Sequence, residues 1–197
     1  MMKKIFIDCF KKDIILFLIA LIFIFSSSQS SLIAAEISGP EVKIYENEIY
    51  VTTSITFDDK FLEEIKNGIK KELVFHIDLF RVWEMWPDEF IAGKSFTRTI
   101  KVDPVKTEFI ATSNDGTSQV RKRFKSFESM LQWALNFENI KLANIKDIEN
   151  GVYFVRVTAE SKIRKLPPIL GYFMFFVSEN SFKIKKESKY FTAGSLK

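Results

Sequence analysis

Cysteine, histidine and glycine are nearly missing from this chain of 197 residues, which carries one Cys, one His and seven Gly. The lone Cys9 precedes an apolar run rather than following it, which excludes the acylated Cys of a lipoprotein. From residue 36 onward there is no Cys, so that part has no disulfide, no thiol nucleophile and no thiolate metal site. The glycines (39, 68, 93, 116, 151, 171 and 194) never come closer than 20 residues apart. Neither G-x-G-x-x-G nor G-x-x-x-x-G-K-[ST] can be built, which removes the nucleotide enzymes that cradle phosphates on such loops. A Ser-His-Asp triad or a His-based zinc site would have to form around His76 alone, and no second ligand lies at helical or turn spacing from it. Gly93-Lys94-Ser95 lacks the Gly two residues on that a nucleophile elbow requires, and S-x-x-K does not occur.

What the chain does have is apolar and aromatic character, 47% hydrophobic with 21 Phe, too much for a disordered tail. The first stretch of it is IILFLIALIFIF (14 to 25), flanked upstream by Lys3, Lys4, Lys11 and Lys12 and too short to span a bilayer unaided. It reads as the hydrophobic region of a signal peptide. SSSQSS follows, and Leu32-Ile33-Ala34-Ala35 offers a cleavage site in which Ile33 occupies a position that favours small residues. Residues 1–35 are therefore expected to be a signal peptide, with an uncleaved N-terminal anchor as the alternative. Residues 36–197 are expected to form a single exported domain, long enough for one core. That part carries 25 Lys and Arg against 23 Asp and Glu, a net charge of +2. A nucleic-acid binder would show a larger basic excess, so none is expected as a partner.

Periodicity after residue 40 is mostly two. VKIYENEIYVTTSITF (42 to 57) alternates on both sides of Glu46-Asn47-Glu48 as a hairpin does. Asp58 and Asp59 then stand where a helix cap belongs, and Phe61, Leu62, Ile65 and Ile69 fall at helical spacing, with Gly68 closing the helix. In residues 72–86, Leu73, Phe75, Ile77 and Leu79 share one strand face, and Val74, His76, Asp78 and Phe80 the other. Strands are expected over 90–102 and 108–112, joined at Asp103-Pro104, and a charged edge strand over 119–124. Ser126 caps a second helix (127–137) that turns Phe127, Met130, Leu131, Ala134 and Leu135 inward and leaves Trp133 off the stripe. A short strand over 140–145 and a clear one over 152–163 follow. The expected fold is mainly β, an antiparallel β-sandwich or flattened barrel of about eight strands with two short helices.

Several motifs recur in a fixed order: the helix with its Gly exit (65–81), Trp83-Glu84-Met85-Trp86-Pro87-Asp88, the Arg98 strand ending in Asp103, and Leu166-Pro167-Pro168. In this the chain resembles an uncharacterised family of exported bacterial proteins, known as a domain of unknown function, over roughly Val42 to Tyr190. The resemblance implies an envelope location and no activity. Two places depart from the family pattern. Val102 and Val105 stand where an aromatic residue and a Leu are usual, and Glu179-Asn180-Ser181-Phe182 where an aromatic follows Phe-Val-Ser.

The segment that invites a functional reading is Arg81 to Asp88 with Arg98. Arg81 and Arg98 can pair with Asp88 and Asp103 under Trp83 or Trp86, as a structural corner. The same residue types, if exposed, make a recognition patch, so Arg81, Trp83, Trp86, Asp88 and Arg98 are the candidate partner-binding residues. The acids at 58, 59, 63 and 64 lack the spacing of a calcium loop and suit a helix N-terminus. The apolar ILGYFMFFV (169 to 177), flanked by basic residues, reads as core, with peripheral membrane contact or a pocket lining as alternatives. The expected function is a non-catalytic envelope module without cofactor or metal that binds an envelope protein partner. Two alternatives are a carrier or sensor of an apolar, lipid-like ligand, lined by residues such as Phe75, Phe154, Phe173 and Phe175, and a polysaccharide hydrolase with paired carboxylates.

Overall fold

The structure, a computed structural model, describes residues 35–161 and 182–194. The expected leader, the Leu-Pro-Pro corner and the apolar segment 169–177 lie outside the described residues. Strands β1 (Ala35–Tyr45) and β2 (Glu48–Phe57) form the expected hairpin. Its turn residues Glu46 and Asn47 both have positive φ (49° and 63°), the geometry whose twist matches that of paired strands.

Helix α1 (Asp59–Lys66) begins where Asp58 accepts a hydrogen bond from Phe61 N at 2.9 Å. It ends one turn earlier than the apolar spacing suggests. Gly68 takes φ 90°, its N–H donates to Ile65 O, and Ile69 N–H donates to Glu64 O, which closes the helix in a Schellman motif. Ile69 is thereby left half exposed, while Phe61 and Ile65 are buried.

The chain then builds a meander of β3 (Lys71–Arg81), β4 (Glu89–Asp103), β5 (Glu108–Asn114) and β6 (Gln119–Phe124). Ser126 caps α2 (Phe127–Leu135), which leads directly into β7 (Asn136–Asn144) and returns the chain to the hairpin. After a 3-10 turn at Ile145–Asp147, β8 (Gly151–Ser161) pairs along the other edge of β3. Strands β9 (Lys183–Glu187) and β10 (Phe191–Ala193) share the far edge of β8. Between them Ser188 continues the ladder: its N–H donates to Val155 O at 2.8 Å and its hydroxyl oxygen accepts from Val155 N at 2.9 Å.

All pairings are antiparallel and form two open sheets, β1-β2-β7 and β10-β8-β3-β4-β5-β6 with β9 beside β8. This is a sandwich of ten strands among the described residues, not a closed barrel. The strand alternation sets its core. Leu73, Phe75, Ile77 and Leu79 of β3 are fully buried between the sheets together with Ile49, Val51 and Ile55 of β2 and Val155, Val157 and Ala159 of β8. Phe127, Met130, Ala134 and Leu135 of α2 close the core over the β4–β5 end.

Candidate functional site

At Arg81 the chain leaves β3, and the six-residue stretch from Trp83 to Asp88 carries it round to β4. Arg81 has the same parity as the core residues of β3 but stands at the end of the sandwich. There its Nη1 donates to Glu149 Oε2 at 2.7 Å and its Nη2 to the Asn150 carbonyl at 3.2 Å. The guanidinium lies 4.4 Å from the Trp83 ring centre, and the Trp83 indole N–H donates to Glu89 Oε2 at 3.1 Å. Tyr153 OH donates to the Glu149 carbonyl at 2.5 Å. Gly151 leaves room for the arginine, since a Cβ there would stand 2.9 Å from Arg81 Nε. The bond to Glu149 raises the Arg81 guanidinium above its ordinary value, and burial raises the Tyr153 phenol. The result is a hollow of about 280 Å³ with a pinned Trp83 on its wall.

Outside this pinned base the loop is apolar and exposed. Met85 is 90% exposed, Trp86 77% and Phe90 58%. Phe90 continues onto the outer face of the larger sheet, its ring 5.9 Å from Phe80, which stacks on Phe154 at 5.4 Å. Arg156 lies 4.5 Å over Phe80, and the exposed Tyr190 stands 5.6 Å from Phe154. The sequence reading named Trp83 and Trp86 for this surface and missed Met85, Phe90, Phe80 and Tyr190. The signal for Phe80 and Phe154 was their even-numbered position on β3 and β8, the face that carries His76 and Asp78.

Arg98 does not join this group. Eight residues of β3 separate the pairs Arg81↔Glu89 and Leu73↔Arg98, about 27 Å at the usual rise of a strand. On β4 the side chain of Arg98 points between the sheets and is only 8% exposed. Its Nη1 donates to the Trp133 carbonyl at 3.2 Å, and its guanidinium lies 4.4 Å from the Trp133 ring and 4.9 Å from Phe137. Burial lowers it to about 10, so it keeps its charge at neutral pH. The expected pairing of Arg81 and Arg98 with Asp88 and Asp103 is therefore corrected. Asp103 Oδ1 accepts instead from Val105 N and Lys106 N, both at 3.1 Å, and so holds its own turn. Asp88 is exposed in the loop, and Arg81 has taken Glu149.

The remaining candidates fall to structural roles. Glu63 bonds Lys66 and Glu64 bonds Lys71, while Asp58 caps α1. His76 is half-buried on the outer face beside Asp78, whose carboxyl is raised by burial against the opposing charges of His76 and Arg156. Among the described residues no three His, Cys, Asp or Glu gather as a metal site, and no helix is long and apolar enough to cross a membrane. Phe75 packs on Phe137 inside the sandwich, whereas Phe154 belongs to the outer face, so these two cannot line one cavity. Phe173 and Phe175 lie outside the described residues.

Comparison with curated proteins and with solved structures yields no match. The family model "Domain of unknown function (DUF4390)" matches residues 34–188, which takes in every strand from β1 to β9, and the chain therefore belongs to that family.

Proposed function

We propose that this chain is an exported, non-catalytic envelope domain that binds another protein through the β3–β4 loop and the aromatic face beside it. The observation that carries this reading is the loop itself. Trp83 is held from both sides by Arg81 and Glu89, while Met85, Trp86 and Phe90 are left in solvent. Exposed apolar side chains on a rigid base lose little conformational freedom on docking, and Trp and Arg are the residue types that carry interface energy. Asp88 adds a charge at the rim of the same loop. Arg98, being buried, has no part in it.

The acids here support a binding role over a hydrolytic one, since Glu149 is engaged by Arg81 and Glu89 by Trp83. Polarity of the domain supports it too. Ala35 pairs with Phe57, whose ring lies 5.2 Å from Phe182, and Ser161 N–H donates to the Phe182 carbonyl. The chain thus enters the domain at the Leu73 end of β3, and the tryptophan loop stands at the other end, free for a partner.

A photoreactive amino acid placed at position 86 in the producing cell tests the reading against one at position 105, an even more exposed site in a different turn. A discrete crosslinked protein from position 86 that is absent from position 105, and that is lost on Met85→Ala or Phe90→Ala, is the expected result. Identical products from both positions would refute the site.

A further inference from the structure

The free edges of the two sheets are not alike. Pro40 and a register shift interrupt β1, and Lys186 of β9 reaches over to donate to the Ile37 carbonyl at 2.8 Å. Two register shifts and a positive φ at Asn139 break up β7. β10 has only three residues, and on β9 Lys183 is paired with Glu160. β6 is regular by contrast: its six residues pair with β5 without a shift, and among the described residues no strand lies along its other side. Alternate residues of such a strand turn their N–H and C=O groups outward.

Charge is what guards this edge. Residues 119–125, QVRKRFK, hold four cations and no acid, and Gln119 to Arg123 are all exposed. Among the described residues these cations make one ion pair, Arg123 to Glu108 at 3.7 Å. The two faces of the strand differ. Ala111 of β5 points into the core, so its partner Lys122 shares that face with Val120 and Phe124, and Lys122 lies 5.1 Å over the Trp133 indole. Arg121 and Arg123 point to the other face and stand in solvent. The edge is also held in shape: Asp115 Oδ1 accepts from Thr117 N at 3.0 Å and Ser118 N at 2.7 Å in the turn before it, and Phe124 packs 5.7 Å from Trp133 at its end. A preformed edge loses little freedom on pairing.

A row of like charges excludes a second copy of β6, since pairing would set cation against cation, and a neutral strand offers nothing to offset the desolvation of those charges. A strand of opposite charge is admitted. We infer that β6 accepts an extended acidic segment of a partner protein as a further strand of the larger sheet. The backbone of that segment takes the outward groups of β6, its acids stand opposite Arg121 and Arg123, and the residues between them lie against Val120 and Phe124. This edge shares no residue with the tryptophan loop, and the two readings stand or fall separately.

The test is a titration of the full-length, isotope-labelled chain in neutral detergent with a blocked heptapeptide of alternating valine and glutamate, read by NMR chemical shift and by amide hydrogen exchange. Saturable binding in the sub-millimolar range is expected, with exchange slowed at alternate amides of residues 119–124 and unchanged along β9. The same peptide N-methylated at every residue keeps its charge and loses its donors, and is expected to bind roughly tenfold more weakly or less. Arg121→Glu alters an exposed side chain that has no ion pair among the described residues, and is expected to weaken the parent peptide by roughly threefold to tenfold. Three results would overturn the proposal: no saturable binding up to about 5 mM, no slowing of exchange at β6, or equal affinity for the N-methylated peptide, the mark of a basic patch read by charge alone.

Discussion

Two arginines in this domain each lie 4.4 Å from the centre of an indole, and their surroundings are otherwise opposite. Arg81 has a carboxylate at 2.7 Å and lies under a Trp83 that is itself 43% exposed. Arg98 has a backbone carbonyl, two aromatic faces and, among the described residues, no carboxylate, between the sheets. The same pair of residue types thus makes a pinned surface feature in one place and a charged element of the core in the other. The difference follows from partners. Where a charge is paired its indole is free to act as a platform, whereas an unpaired charge draws its indole into service as a cover.

Truncation is expected to separate the two most sharply at Arg98. Arg98→Ala removes the cation and leaves a cavity beside Trp133 and Phe137, an expected loss of about 3 kcal/mol in chemical unfolding. A loss under about 1 kcal/mol would mean that Arg98 is not packed as described.

On the Arg81 side the sharpest probe is the backbone that carries Glu149. Gly194 has φ 120°, and a Cβ there would meet the Glu149 carbonyl oxygen at 2.1 Å. Gly194→Ala is expected to cost about 2 kcal/mol and to quench or shift Trp83 fluorescence as Arg81 loses its anchor. An unchanged unfolding midpoint would show that β10 does not dock on the Glu149–Asn150 turn.

Arg98→Met keeps the volume and deletes the charge, so its stability should lie within about 1 kcal/mol of wild type at neutral pH. The sign of its pH dependence follows from burial. Burial lowers the guanidinium from its ordinary value to about 10 in the folded chain, so the unfolded chain holds this proton more tightly. The cost of the buried charge is complete below about pH 10 and is relieved as pH climbs above it. Wild type is therefore expected to gain on Arg98→Met between about pH 8 and about pH 11, measured by paired urea melts. A gap that widens would contradict the assignment.

The smallest effect on stability is expected from Trp86→Ala, within about 0.5 kcal/mol, because the side chain is exposed. Its effect on partner capture is expected to be large by comparison. A Trp86→Ala protein that is markedly less stable would show the ring to be structural, and the patch reading would lose its main residue.

Much of the architecture was legible in the chain. The parity of Leu73, Phe75, Ile77 and Leu79, the caps at Asp58 and Ser126 and the hairpin turn at Glu46-Asn47 are local features, each set by a few neighbours. Trp133 off the apolar stripe of α2 was legible as well, though not its purpose, which depends on β4 lying against it. The candidate site was half legible. Trp83 and Trp86 could be named, but the partner of Arg81 is 68 residues away at Glu149. The proposed pairings with Asp88 and Asp103 failed because nearness in sequence was used where strand register decides.

Sequence alone settled the alternation that builds two-faced strands, the helix caps, and the want of cysteine, glycine-rich loops and a second histidine that removes whole classes of chemistry. Those are properties of residue type and of neighbours a few positions apart. Tertiary structure alone decided which arginine is paired and which is buried, because antiparallel pairing brings Glu149 to Arg81 and α2 to Arg98. The electrostatics of a guanidinium depend on what stands within a few ångströms, and only the folded chain fixes that.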